Sequence, residues 1–61
     1  MDPDEALSLL REAVREARAD LDVQGYVNRG EVEVLLERVE ALDDWLSRGG
    51  TLPQAWARST R

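Results

Sequence analysis

Only three residues, 25–27, separate the predicted end of one helix from the predicted start of the next, and this short connection constrains the fold most. Gly25 can adopt the left-handed conformation that ends many helices. Asn28 is a favourable N-cap for a new helix. A connection this short forces consecutive helices into an antiparallel hairpin. The sequence therefore predicts an all-α fold with helices over about 3–24 and 29–48.

Apolar residues recur at intervals of three and four through both predicted helices, as on the buried face of an amphipathic helix. In the first helix they predict one buried face, formed by Leu7, Leu10, Val14, Ala17 and Leu21. The second helix carries a matching stripe of Val32, Leu35, Val39, Leu42 and Leu46, with Val34, Leu36, Ala41 and Trp45 beyond it. Its apolar surface is too wide to be covered by one partner helix.

The segment DWLSRGGTLPQAW, residues 44–56, contains two glycines, a proline and both tryptophans of the chain. Gly49 and Gly50 can end the second helix, because glycine adopts positive φ without steric cost. We expect a short helix or turn over about 52–58 to fold back and close the end of the hairpin, with a frayed tail over 57–61. The side chains expected to meet there are Leu52 and Trp56 on one side and Trp45 and Leu46 on the other.

Within this segment the chain has the pattern Trp45-Leu46-Ser47-x-Gly49-Gly50-x-Leu52-Pro53-x-x-Trp56 after an acidic helix. The pattern resembles the ending of small uncharacterised proteins of actinobacterial phages and prophages. The resemblance covers about residues 41–56 and implies a phage or prophage gene of a GC-rich host, without catalytic or binding residues to transfer. An aromatic residue often stands in those proteins where this chain has Thr51. The use of arginine for all eight basic residues agrees with a GC-rich genome.

The chain is small for an independently stable domain. A domain of about 60 residues buries only about 60% of the surface that its unfolded chain exposes. The sequence contains no cysteine or histidine, so a disulfide or a typical zinc site cannot supplement the core. We therefore expect a homo-oligomer, most simply a C2 dimer that forms a helical bundle. The residues expected to form the core and the self-association surface are Leu35, Leu36, Val39, Leu42, Trp45, Leu46, Leu52 and Trp56.

Two charged stripes run along the predicted helices: Glu33, Glu37, Glu40 and Asp44 on the second helix, and Arg11, Arg15 and Arg18 on the first. The acidic stripe lies opposite the apolar stripe, as in the outer face of an amphipathic helix. The alternative is a docking surface for a basic partner, including mimicry of DNA. The arginines are expected to pair with acids of the second helix or of a second protomer, each pair contributing under about 1 kcal/mol. Recognition of an acidic ligand is the alternative for them.

Composition and motifs argue against several functions. The net charge of −5 disfavours binding to nucleic acid or to an anionic membrane. The chain has neither an apolar run long enough for a membrane span nor a basic start typical of export signals, so we expect a cytoplasmic protein. No histidine is present to activate a hydroxyl nucleophile, and RGGT lacks the phosphate-loop spacing. We expect no enzymatic activity, cofactor or metal.

The sequence therefore predicts a non-enzymatic interaction module of phage or prophage origin that self-associates through the apolar face of its second helix. The alternative is a regulator that binds a host or phage macromolecule through the same apolar face or through the acidic face. Helix-turn-helix DNA binding is a weaker alternative. Its recognition helix would span 31–48, where six acids and two arginines would be repelled by phosphate.

Overall fold

The structure of the protein is a computed structural model, and the part described here comprises residues 1–58 of the 61-residue chain. This part of the chain contains no strand and three helices: α1 (Pro3–Gln24), α2 (Arg29–Ser47) and α3 (Gln54–Arg58). The two long helices pack against each other as an antiparallel hairpin. The prediction of an all-α hairpin with a short third helix is confirmed, and α2 ends one residue before its predicted boundary.

Local signals at both ends of α1 explain its length. The side chain of Asp2 accepts hydrogen bonds from the backbone N–H groups of Asp4 (3.0 Å) and Glu5 (3.4 Å), which have no partner within the helix. Pro3 occupies the first helical position, where a missing N–H costs nothing. At the other end Gly25 has φ 81°, and its N–H donates to the carbonyl of Leu21. The left-handed glycine turns the chain out of the helix.

The double glycine ends α2 in a Schellman motif. The N–H of Gly50 donates to the carbonyl of Trp45 (2.9 Å), and the N–H of Gly49 donates to the carbonyl of Leu46 (3.1 Å). Gly49 has φ 91°, a conformation that glycine adopts readily. At the start of α2, Asn28 occupies the N-cap position, but its side chain forms no capping hydrogen bond. The end of α2 is therefore better defined by local interactions than its start.

Two hydrogen bonds hold the bend and α3 against the rest of the hairpin. The indole Nε1 of Trp45 donates to the carbonyl of Thr51 (2.9 Å). The backbone N–H of Gln54 donates to the side chain of Asp4 (2.7 Å), which connects the start of α3 to the start of α1. Of the tail predicted to fray, residues 57 and 58 are helical and residues 59–61 lie outside the described part of the chain.

The core within residues 1–58 is small and differs from the predicted one. Its buried members are Leu7, Ala13, Leu42 and Pro53. The expectation that Leu52 covers the bend is wrong: Leu52 is 50% exposed, and the adjacent Pro53 is buried instead. The prediction of a single buried face on α1 is also wrong, because Val14 and Leu21 remain exposed. Two helices bury only the line along which they touch, and the short α3 covers only one end of the hairpin.

Candidate interaction surface

Two shallow grooves lie end to end between α1 and α2. One is lined by Val14, Ala17, Arg18, Leu21, Val27 and Leu35. The other is lined by Leu10, Val39, Leu42, Asp43, Leu46 and Trp56. Residues 10, 14, 17 and 21 share one face of α1, and residues 35, 39, 42 and 46 share one face of α2, so both grooves are on the same side of the hairpin. We call this side the open face, comprising Leu10, Val14, Ala17, Leu21, Leu35, Val39 and Leu46.

The open face exposes large aliphatic side chains over both grooves. Val14 is 45% exposed, Leu21 44% and Val39 45%, while Leu42 lies beneath them at 2%. Leu36, which is exposed on the adjoining side of α2, extends the apolar surface. Contiguous exposed apolar surface of this kind marks sites of protein–protein contact more often than isolated exposed residues do.

The eight residues predicted for the core and self-association surface differ in burial. Leu42 is buried, Leu35, Trp45, Leu46 and Trp56 are half-buried, and Leu36, Val39 and Leu52 are exposed. The structure brings four of them together in the second groove, Val39, Leu42, Leu46 and Trp56, while Leu35 lines the first groove. Trp45 instead packs against Gly50, where a Cβ atom would collide with the indole ring. Trp45 therefore belongs to the bend rather than to the open face.

Sequence analysis missed the contribution of α1 to the open face. Val14 and Leu21 were assigned to a buried stripe, although they contribute as much exposed apolar surface as Val39 does. Their spacing identified the correct side of the helix. Periodicity alone does not show whether that side is covered by another element, because it reports orientation and not contact.

Charged side chains of opposite sign flank the open face. Arg18 lines the first groove from α1, and Asp43 lines the second groove from α2. Arg11 precedes Arg18 by seven residues and therefore lies on the same side of α1. We call Arg11, Arg15 and Arg18 the arginine rim, and Asp43 the acidic rim.

Neither rim is neutralised within the described part of the chain. Its ion pairs are Arg29–Glu33 (3.4 Å) and Arg48–Asp44 (2.6 Å), both formed one helical turn apart along α2. All four rim residues are exposed. The arginine rim therefore does not pair with acids of α2 in the same chain, which leaves the predicted pairing with a second protomer as a hypothesis.

The acidic stripe of α2 faces solvent. Glu33, Glu37, Glu40 and Asp44 are all exposed. Glu33 and Asp44, at the two ends of the stripe, are paired with the arginines named above. These pairs reduce the negative charge that mimicry of a phosphate backbone would require.

The side of the hairpin opposite the open face contains a group of carboxylates. Asp20 raises the pKa of Glu31, chiefly because the two carboxyl groups can share a proton, and burial and the charge of Glu16 act in the same direction. The N–H of Asn28 acts in the opposite direction. The Oε1 atom of Glu31 is buried without a hydrogen-bond partner. No group of acids within residues 1–58 has the arrangement of a metal site.

The helices of residues 1–58 include none with an apolar stretch sufficient to cross a membrane. No protein-family model matches this sequence, and no curated protein or solved structure shows significant similarity to it.

Proposed function

We propose that this chain is a non-enzymatic helical interaction module that self-associates through the open face, most simply as a C2 dimer. One observation carries the proposal: three aliphatic side chains, Val14, Leu21 and Val39, are each about 45% exposed along a single side of the hairpin. A second copy of the same face would cover them and complete a four-helix core.

The exposed area is sufficient to matter for association. Complete burial of a valine or leucine side chain contributes about 1.5–3 kcal/mol, so covering the exposed part of each of these residues contributes about 1 kcal/mol. Three residues from each of two protomers contribute about 6 kcal/mol, and the half-buried Leu10, Leu35 and Leu46 add to this. Association costs about 4–15 kcal/mol in lost translational and rotational freedom. The apolar contribution of the open face is therefore of the same order as the cost of forming a dimer.

The proposed absence of catalysis follows from the kind of groups that the open face presents. Binding and catalytic sites for small molecules combine apolar walls with a few convergent polar groups. The open face presents hydrocarbon, and the chain contains no histidine or cysteine. A phage or prophage origin and a cytoplasmic location are parts of the proposal supported by the C-terminal sequence pattern and the composition.

Sedimentation equilibrium over about a hundredfold range of protein concentration tests the proposal, because self-association follows mass action. The expected result is a mass that rises above the 6.9 kDa of one chain as concentration increases. Val39→Asp should abolish the rise, because it places a charge at the centre of the contact. Val23→Asp is the matched control, since Val23 is a helical valine that is 86% exposed and outside the open face.

Circular dichroism on the same samples separates loss of association from loss of folding. We expect Val39→Asp, which should not associate, to remain helical at the low concentrations at which the wild type is also dissociated. A wild-type chain that is helical and monomeric at every concentration would overturn self-association. The open face would then be assigned to a host or phage macromolecule, which is the alternative function.

A further inference from the structure

The two charged rims specify how two copies of the open face fit together. Building on the proposed self-association, we infer that α1 of each protomer packs over α2 of its partner, about a two-fold axis parallel to the helices. The arginine rim of each copy then faces the acidic rim of the other. The occupant of the open face is thus a second copy of this chain in one defined orientation.

Two arrangements place two copies of the open face against each other with two-fold symmetry and with their helices aligned. With the axis parallel to the helices, α1 lies over the partner's α2. With the axis across the helices in the plane of the contact, α1 lies over the partner's α1. Because the arginine rim follows the outer edge of α1, the second arrangement places arginines against arginines and acids against acids. Like-charge contacts across an interface disfavour that arrangement, whereas the first brings opposite charges together.

The same symmetry fixes which residues meet. A two-fold axis parallel to the helices leaves the height of every residue along the bundle unchanged. Leu10 and Asp43 line the same groove, so Arg11, the residue after Leu10, lies at the level of this groove along the bundle. In the dimer each Arg11 therefore approaches the partner's Asp43, and this contact occurs twice.

Arg11 and Asp43 are both exposed in the single chain. The contact consequently requires no prior disruption of an internal ion pair among residues 1–58.

Charge reversal of one contact tests the orientation. Arg11→Glu alone sets two acids against each other at both copies of the contact, and Asp43→Arg alone sets two arginines against each other. We expect each variant alone to dimerise about tenfold more weakly than the wild type, since two surface contacts change sign. An equimolar mixture of the two variants restores opposite charges at both contacts, so it should form a heterodimer of wild-type affinity.

Matched controls separate the local contact from the change in net charge. Arg48→Glu changes the net charge as Arg11→Glu does, and Asp44→Arg changes it as Asp43→Arg does, but Arg48 and Asp44 pair on the outer side of α2. We expect both control variants to retain the wild-type dimer dissociation constant. Sedimentation equilibrium gives the dissociation constants, and native mass spectrometry of the mixture, with one variant isotopically labelled, identifies the heterodimer.

The outcomes distinguish the inferred orientation from the proposed function. If the wild type does not associate, self-association itself is overturned. If the wild type dimerises but Arg11→Glu leaves the dissociation constant unchanged or tightens the dimer, self-association stands and the orientation is overturned. Tightening is the result expected when α1 lies over the partner's α1, because the introduced acid would meet arginines.

Discussion

Truncation of Leu42 to alanine tests the assignment of the single-chain core. Leu42 is the least exposed hydrophobic side chain of α2, at 2%, and it lies beneath the second groove beside Leu10, Leu46 and Trp56. Removal of a buried leucine side chain costs about 2–5 kcal/mol, depending on how far its neighbours can move into the space. Because this groove is open to solvent on one side, its walls can partly collapse. We expect a loss of about 3 kcal/mol.

This loss is large relative to the stability that such a chain can have. Natural domains are stabilised by about 0.05–0.15 kcal/mol per residue, which gives about 3–9 kcal/mol for 61 residues. Leu42→Ala should therefore remove a third or more of the free energy of unfolding. Urea denaturation followed by circular dichroism measures it, with wild type and variant at the same low protein concentration so that association contributes equally.

Glu37→Ala is the matched control, because it also introduces alanine into α2, but at a residue that is exposed on the acidic stripe. It should change the free energy of unfolding by no more than about 0.5 kcal/mol. Comparable losses for Glu37→Ala and Leu42→Ala would refute the assignment of the two sides of α2. A loss below about 1 kcal/mol for Leu42→Ala would show that this leucine is not part of a packed core.

Three further changes test the bend, the attachment of α3 and the carboxylate pair. Gly50→Ala should cost about 1–3 kcal/mol in thermal denaturation, because a Cβ atom there collides with the indole of Trp45. Asp4→Ala removes the acceptor for the N–H of Gln54 and should cost about 1 kcal/mol, with faster hydrogen exchange in α3 than in the wild type and little change at the centre of α1. Glu31→Gln should stabilise the protein at neutral pH, because a carboxyl group whose pKa is raised on folding is destabilising when ionised. The free energy of unfolding of the wild type therefore rises as the pH falls through the raised pKa of Glu31. Denaturation curves recorded at a series of pH values should show that the stability difference between the wild type and Glu31→Gln disappears below pH 4.5, the ordinary pKa of this carboxyl group.

The hairpin was predictable because its boundaries depend on short-range interactions. Asp2, Pro3 and Gly25 act on backbone groups within four residues of themselves, and Gly49 and Gly50 bond only to the last turn of α2. Such signals can be recognised in the sequence without knowing what packs against what. The short connection between the helices then leaves antiparallel packing as the expected outcome.

Burial was less predictable because it depends on contacts between distant residues. The bond between Asp4 and Gln54 joins residues 50 positions apart and has no local signature in the sequence. It places α3 so that Pro53 is buried and Leu52 is exposed, the reverse of the expectation from hydrophobicity. The apolar stripe of α1 likewise shows which side of the helix is apolar. How much of that side is buried depends on how far α2 and α3 extend over it.

The charged rims carry information about assembly that the apolar pattern lacks. The stripes of α1 and α2 are both aliphatic with the same spacing, so hydrophobic contact alone permits α1 to lie over either helix of a partner. Arg11 and Asp43 remove this equivalence because they have opposite charges on opposite edges of the open face. Exposed ion pairs add little affinity, but like-charge contacts reject the wrong arrangement. Salt should therefore weaken the discrimination between wild-type and charge-reversed pairs while leaving the apolar contribution to association intact, since screening acts on exposed charges and not on buried hydrocarbon.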